Sequence, residues 1–224
     1  MRIVLRIGGS VVASPVNPDL IVKYVDVLKN LRSKGHELIV VVGGGELARE
    51  MIRTAKEIGL DEPSQDNMAI SVSRIFAQLF LSKLGRIGCK SIPLTLRDAQ
   101  KCLDKGSVVV MGGLKPGMTT DAIAAMVAEK VKADLLIKAT NQDGVYNKDP
   151  KDNADAVKLD HLRFEDLSNL FSEDKHKAGI HQIIDPEAVK ILTRHHVKVR
   201  IVNGFRPENV VLAAKGEHVG TLID

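Results

Sequence analysis

Met111 to Asp121, Met-Gly-Gly-Leu-Lys-Pro-Gly-Met-Thr-Thr-Asp, holds the residue types that bind phosphate. The apolar run Val108-Val109-Val110 before it predicts a buried parallel strand, and Ala122 to Val127 after it predicts a helix. A glycine-rich turn between strand and helix lets backbone N–H groups and the helix N-terminus face one point, which favours an anion. Gly112, Gly117 and Thr119 approach the spacing of a P-loop, but Met118 stands where that loop has its lysine. A phosphate-binding loop of another kind is expected. On this stretch alone, a plain strand-to-helix turn with capping threonines is the alternative.

Two further glycine turns follow predicted strands: Gly8-Gly9 after Arg2–Ile7, and Gly43-Gly44-Gly45 after Leu38–Val42. Ligands of open α/β sheets bind beyond the carboxyl ends of the strands. Glycine there lets backbone approach a ligand with no Cβ in the way. Three such turns on one expected edge suggest more than one phosphate group. Gly43-x-Gly45-x-x-Ala48 also fits the dinucleotide fingerprint, with Asp61 and Asp66 near the distance of a ribose-binding acid. That makes an NAD-dependent dehydrogenase a rival. Against it, the acid should end a second strand, whereas Asp61 lies in Gly-Leu-Asp-Glu-Pro, a structure-breaking run.

The elements that must position these turns alternate. Strands are expected at Arg2–Ile7, Leu38–Val42, Val108–Met111, Asp134–Ala139, Val197–Val202 and Val219–Ile223. Helices are expected at Asp19–Leu31, Glu46–Ile58, Met68–Leu84, Phe164–Phe171, Pro186–His195 and Pro207–Ala214. Gly35 reads as the glycine that closes the first helix, and Gly59 and Pro63 as breakers of the second. Ser91–Leu94 reads as a brief edge element and Thr140–Pro150 as a polar loop. The alternation implies an α/β fold, a three-layer αβα sandwich around a mainly parallel sheet. Met68–Leu84 carries apolar residues on more than one side (Ile70, Val72, Ile75, Phe76, Leu79, Phe80, Leu81), which fits a partner surface or a buried helix.

The chain has 224 residues, 44% of them apolar, so a substantial core can form. No run reaches the roughly 18 uninterrupted apolar residues of a membrane helix. Met1 to Leu5 enters a strand at once, and no secretory segment is expected. A net charge of +4 without a basic run, and 3% aromatic residues, argue against a nucleic-acid partner and suit a small anionic substrate. Cys89 and Cys102 do not make a metal-site spacing, and a reduced cytoplasmic setting is the simple inference. The histidines His176, His181, His195, His196 and His218 show no metal-binding pattern and read as structural or exposed.

Together the motifs resemble the amino-acid kinase superfamily, most closely the archaeal-type UMP kinases. Arg6 to Ser10 looks like the opening turn and Val42 to Arg49 like the second loop. Met111 to Ala125 looks like the Gly-Gly-x-x-Pro-Gly-x-Thr-Thr-Asp-Ala region. Ala139 to Tyr146 with Asp149-Pro150 looks like the nucleotide loop, and Lys177-Ala178-Gly179 with Ile184-Asp185-Pro186 like a further family segment. Arg6 stands where the wider superfamily often has lysine. Phe76, Leu114 and Met118 stand where close relatives often have asparagine, threonine and histidine.

The resemblance implies an amino-acid kinase (carbamate kinase-like) fold over 1–224 as a single domain, with an acceptor site in about 1–130 and an ATP site in about 131–224. It implies that Gly9, Ser10, Gly45 and Arg49 contact ATP phosphates and that Thr140, Tyr146 and Asp149 hold the base and ribose side. Gly44, Asp66 and the segment Leu114, Lys115, Pro116, Gly117, Met118, Thr119 and Thr120 would hold UMP. A hexamer built as a trimer of dimers and feedback inhibition by UTP are implied likewise.

Phosphoryl transfer needs two anions held in line and their charge neutralised. Arg6, with the Gly8-Gly9 and Gly44-Gly45 amides, is expected around the transferring group, because a guanidinium is always charged and has several donors. Asp121 would orient cations or the waters of Mg²⁺, the metal that commonly bridges nucleotide phosphates. Bland roles compete. Asp121 could serve only as a helix N-terminal acid, Arg49 as a solvated arginine, Tyr146 as a core aromatic. Lys177, in the charged run 173–177, reads as solvated, and the choice between Arg6 and Lys177 as main cation stays open. Kinases of other small phosphate or carboxylate acceptors, and a non-catalytic binder on the same fold, are the remaining alternatives.

Overall fold

The computed structural model describes residues 1–167 and 184–224. Its central sheet has seven strands in the order β3-β2-β1-β4-β8-β9-β7. They are β1 (Arg2–Ile7), β2 (Glu37–Val42), β3 (Val109–Met111), β4 (Leu135–Thr140), β7 (His161–Leu162), β8 (Val199–Asn203) and β9 (Thr221–Ile223). A separate antiparallel pair, β5 (Val145–Tyr146) and β6 (Lys158–Leu159), follows β4. All ladders of the large sheet are parallel except β8–β9.

Side chains alternate across each strand, and both faces are covered. Ile3, Leu5 and Ile7 of β1, with Leu38, Val40 and Val42 of β2, pack under α2 (Pro18–Ser33) and α4 (Glu62–Leu84), with the short α1 (Gly9–Val12), α3 (Gly45–Glu57) and α8 (Glu208–Ala214) on the same side. Val4, Ile39, Val41 and Leu136 face the other way, toward α5 (Leu96–Asp104), α6 (Thr120–Val131) and α7 (Pro186–His195). This is the expected three-layer αβα sandwich. Doubly covered strands explain the unbroken apolar runs.

The helix starts follow from local chemistry. Asn17 caps α2, its Oδ1 accepting from the Leu20 N–H at 2.9 Å, with proline in the first turn. Thr119 caps α6, accepting from the Ala122 N–H at 3.0 Å, and Asp185 caps α7, accepting from the Glu187 N–H at 2.7 Å. Gly35, at φ +83°, closes α2 as expected.

Several expectations are corrected. Pro63 does not break structure; it sits in the first turn of α4, which begins at Glu62 rather than Met68 and is capped by Asp61 (Ser64 N–H to Oδ1, 3.0 Å). Asp66 is therefore a helix residue. Ser91–Leu94 forms no strand; at that edge Gly88 makes an isolated bridge to Val108. Helix α5 was not anticipated. Helix character begins at Phe164 and continues to Leu167; the rest of the helix expected to 171, and Lys177 to Gly179, lie outside the described residues. Of the apolar side chains on α4, Ile70, Val72, Phe76, Phe80 and Leu81 are buried, while Met68, Ile75 and Leu79 form an exposed stripe.

Cys89 and Cys102 are not free thiols as the simple reading had it. They form a disulfide, with Cα atoms 6.0 Å apart, that ties the segment after α4 to α5. Closing a loop of this size removes denatured-state freedom worth about 3 kcal/mol. Denaturant unfolding with and without reductant should show that loss, and a Cys102→Ser variant should reproduce it in the absence of reductant.

Candidate functional site

Strands β3, β2, β1 and β4 are mutually parallel, so their carboxyl ends share one rim. The chain steps from β1 out to β2 and β3, then returns to the far side of β1 as β4. The direction of winding reverses between β1 and β4, where such sheets open a crevice. A polar cleft of about 440 Å³ lies there. Its walls include Arg6, Gly9, Ser10, Gly45, Asp121, Lys138, Thr140 and Asn141.

Arg6 and Lys138 are register partners on β1 and β4. Alternation turns both to the α6 side, the side of Val4 and Leu136. The first turn of α6 brings Asp121 between them. Its Oδ1 lies 2.7 Å from Arg6 Nε, an ionic approach rather than an aligned hydrogen bond, and its Oδ2 accepts from Lys138 Nζ. Arg6 also donates to Thr120 Oγ1 at 3.1 Å. Burial alone would raise the Asp121 carboxyl, but Arg6, Lys138 and the Asp185 backbone N–H outweigh it and hold it below its ordinary range. Burial pushes the Lys138 ammonium down to about 8, against the pull of Asp121.

The glycine turns of β1 and β2 pack backbone to backbone. A Cβ on Gly9 would lie 2.1 Å from the Gly45 nitrogen, and one on Gly43 would lie 2.7 Å from the Gly9 nitrogen. Gly45 adopts φ +62°, a region that side chains disfavour. The result is a narrow cradle where no side chain stands between backbone and an incoming phosphate.

A second cleft, about 380 Å³, adjoins the first. Its lining mixes apolar Ile52, Ala69, Ile70 and Met118 with Asp66, Lys115 and Thr119. Gly44, Arg49 and Thr120 line both clefts. The two cavities therefore meet at these three residues, and Arg6 and Asp121 line the first.

Most of the expected site residues converge here, with exceptions. Leu114 packs against the α6-side core rather than the cleft. Pro116 and Gly117 do not line the cleft, but the Gly117 N–H donates to Asp66 Oδ2 at 2.7 Å. Arg49 is not idle in solvent; its guanidinium pairs with Glu46 at 2.6 Å while lining both clefts. Tyr146, on β5, and Asp149, whose Oδ1 accepts from the Lys151 N–H, stand outside the walls of both clefts. Asp121 is more than a helix-end acid, because it joins two cations. Asp61 caps α4 and ends no strand, so the layout of a dinucleotide site is not present around it.

Lys138 escaped the sequence reading. A signal existed: a lysine in Leu-Leu-Ile-Lys-Ala-Thr, a run otherwise fit for a doubly covered strand, needs a partner when buried. Asp185 was read only as part of the Ile184-Asp185-Pro186 segment, with no role of its own. It caps α7 and also accepts from the Thr119 hydroxyl, linking the starts of α6 and α7.

Comparison with known proteins identifies the family. Residues 1–203 match the model of the amino acid kinase family. A uridylate kinase of Methanosarcina barkeri is 44% identical over 207 residues, 92% of this chain and 88% of that protein. One from Methanocaldococcus jannaschii is 40% identical over 226 residues, with both chains covered in full. The crystal structure of uridylate kinase from Archaeoglobus fulgidus superposes with a TM-score of 0.90 at 39% identity, again covering both chains. The chain belongs to the amino acid kinase family.

Gly9→Ala tests the cradle. The added methyl must displace backbone of the second loop, so unfolding should become easier by roughly 1–3 kcal/mol. Binding of ATP, followed by calorimetry, should weaken more than the stability loss alone accounts for.

Proposed function

We infer that the chain is a UMP kinase, moving the γ-phosphoryl group of ATP to UMP to give UDP and ADP in pyrimidine nucleotide synthesis. The carrying observation is the pair of clefts that meet at Gly44, Arg49 and Thr120 beside the partly buried Arg6 and the buried Lys138. The named relatives act as uridylate kinases and cover the chain from end to end. The apolar and carboxylate lining of the second cleft fits a base and ribose better than a small carboxylate.

ATP takes the first cleft. Gly9, Ser10, Gly45 and Arg49 receive its phosphates; Thr140, Tyr146 and Asp149 take the base and ribose side. UMP takes the second, held by Gly44, Asp66 and residues 114–120. A phosphate oxygen of UMP attacks the γ-phosphorus while the bond to the β-bridging oxygen breaks, and ADP leaves with the electron pair. The UMP phosphate is ionised at neutral pH, so no general base is required. Catalysis is placement and charge neutralisation. Arg6 and Lys138 carry two positive charges against the one negative charge of Asp121, leaving one net positive charge for the migrating group. Asp121 keeps the two cations adjacent and aimed.

Mg²⁺ brought in with ATP would shield the charge of its phosphates. Asp121 already has both oxygens engaged by cations, and no cluster of three metal-binding side chains occurs among the described residues. No residue of the chain is assigned to the metal. We place the acceptor site in about 1–130 and much of the donor site in about 131–224 of one domain. The exposed stripe Met68, Ile75 and Leu79 on α4 suits contact between copies in a trimer of dimers. UTP would compete at the same nucleotide clefts. No described helix is long and apolar enough to cross a membrane, and we assign a cytoplasmic setting.

ADP release coupled to UMP, CMP, AMP and small carboxylates tests the assignment. UMP should lead by about a hundredfold or more in kcat/KM. ADP release with a non-nucleotide acceptor alone would remove UMP while keeping the fold. The pH profile makes a second test. The groups facing Lys138 are Asp121, Arg6 and Asp185. Its folded pKa, about 8, lies below the ordinary 10.5, so the ammonium loses its proton as pH rises through 8. The cation is then lost, and kcat/KM, which reports the free enzyme, should fall with a midpoint near that value. Lys138→Arg should move the fall well up the pH scale, because a guanidinium keeps its proton. Stability should move the other way. Between pH 8 and 10.5 the unfolded chain binds more protons at this residue, so its burial penalty shrinks as pH rises.

A further inference from the structure

The loop from Gly112 to Thr119 is seated on α4 by three polar side chains. Ser73, buried, accepts from the Gly113 N–H at 2.8 Å and donates to the Ile70 carbonyl at 2.7 Å. Asp66 accepts from the Gly117 N–H. Arg74 does more than either. Its Nε donates to the Gly113 carbonyl at 2.9 Å and its terminal nitrogen to the Leu114 carbonyl at 3.0 Å. One half-buried guanidinium thus spans two consecutive peptide groups.

Space leaves the loop little choice of path. A Cβ on Gly112 would meet Ser73 Oγ at 2.7 Å, and one on Gly113 would meet Ile70 at 2.9 Å. Path alone does not fix peptide orientation. A trans peptide points its carbonyl and the following N–H in opposite directions. With both carbonyls drawn to Arg74, the N–H groups of Leu114 and Lys115 turn away from it. Neither has a hydrogen-bond partner among the described residues. Lys115 and Gly113 line the acceptor cleft, and Arg74 does not.

We propose that Arg74 is a positioning residue for the acceptor nucleotide: it orients the 113–114 and 114–115 peptides so that two adjacent N–H groups stand ready for UMP. This rests on the UMP kinase reading given above. A planar fork suits the task because it reaches two acceptors at fixed spacing, whereas an ammonium is a single point charge. An apolar side chain could fill the same space but could not set the two carbonyls.

Steady-state kinetics of Arg74→Ala should show KM for UMP raised about tenfold to a hundredfold. KM for ATP should stay within about twofold, with the melting temperature little changed. Arg74→Lys should recover part of the loss and Arg74→Gln less. If the alanine variant fails to fold, the lysine and glutamine variants carry the same comparison. Hydrogen exchange without nucleotide supplies an independent readout: the Gly113 and Gly117 amides, bonded to Ser73 and Asp66, should exchange faster in each variant, and those of the Gly8–Ser10 turn should not. An unchanged KM for UMP in a folded variant would overturn the proposal, as would KM for both substrates rising in step. If the wild-type protein does not turn over UMP while exchange at Gly113 and Gly117 still depends on Arg74, the UMP reading fails and the loop-orienting role stands.

Discussion

Arg6 and Lys138 stand side by side on neighbouring strands, with little access to water. At a strand spacing of about 5 Å, two like charges repel by roughly 3 kcal/mol when the effective dielectric is about 20. Asp121 relieves this by taking one cation on each oxygen. The carboxylate is placed by the start of α6, where the Thr119 cap fixes the first turn and the helix dipole favours a negative group. The loop that precedes α6 also walls the acceptor cleft. Acceptor loop, carboxylate and cation pair are therefore one mechanical unit, and a shift of α6 would disturb all three.

The glycine turns impose a second constraint. Gly9 and Gly45 touch through backbone alone, so the ends of β1 and β2 have no adjustable side chain between them. Glycine also loses the most freedom on folding. The flanking strands offset that loss: Ile3, Leu5 and Ile7 are buried with Leu38, Val40 and Val42 in a single apolar cluster. A rigid sheet holds a rim built of the most flexible residue type.

Much of this was legible from the chain. Strand, glycine turn and helix recur three times in local patterns, and those signals need no knowledge of the fold. Arg6, Gly44 and Thr120 could be assigned because each lies inside such a pattern. Lys138 could not, since its meaning comes from Arg6, 132 residues away, and from Asp121 across a packed helix. Pro63 misled because the same residue ends one helix or opens another, and only the Asp61 cap decides between them. The cysteine pair was opaque for a similar reason: a spacing of 13 residues says nothing until α5 folds back against the sheet edge. Arg74 was opaque as well, because its two carbonyl partners lie some 40 residues along the chain.

The Glu46–Arg49 contact has a kinetic meaning. Both side chains are roughly half exposed, and ion pairs of that kind hold weakly. Glu46 keeps the arginine at the shared wall of the two clefts, and under the proposed function so loose a pair would yield readily to a polyphosphate. In that reading the guanidinium would need no long excursion through solvent to reach its ligand, and once the product departed the same glutamate would reclaim it, resetting the site for another cycle.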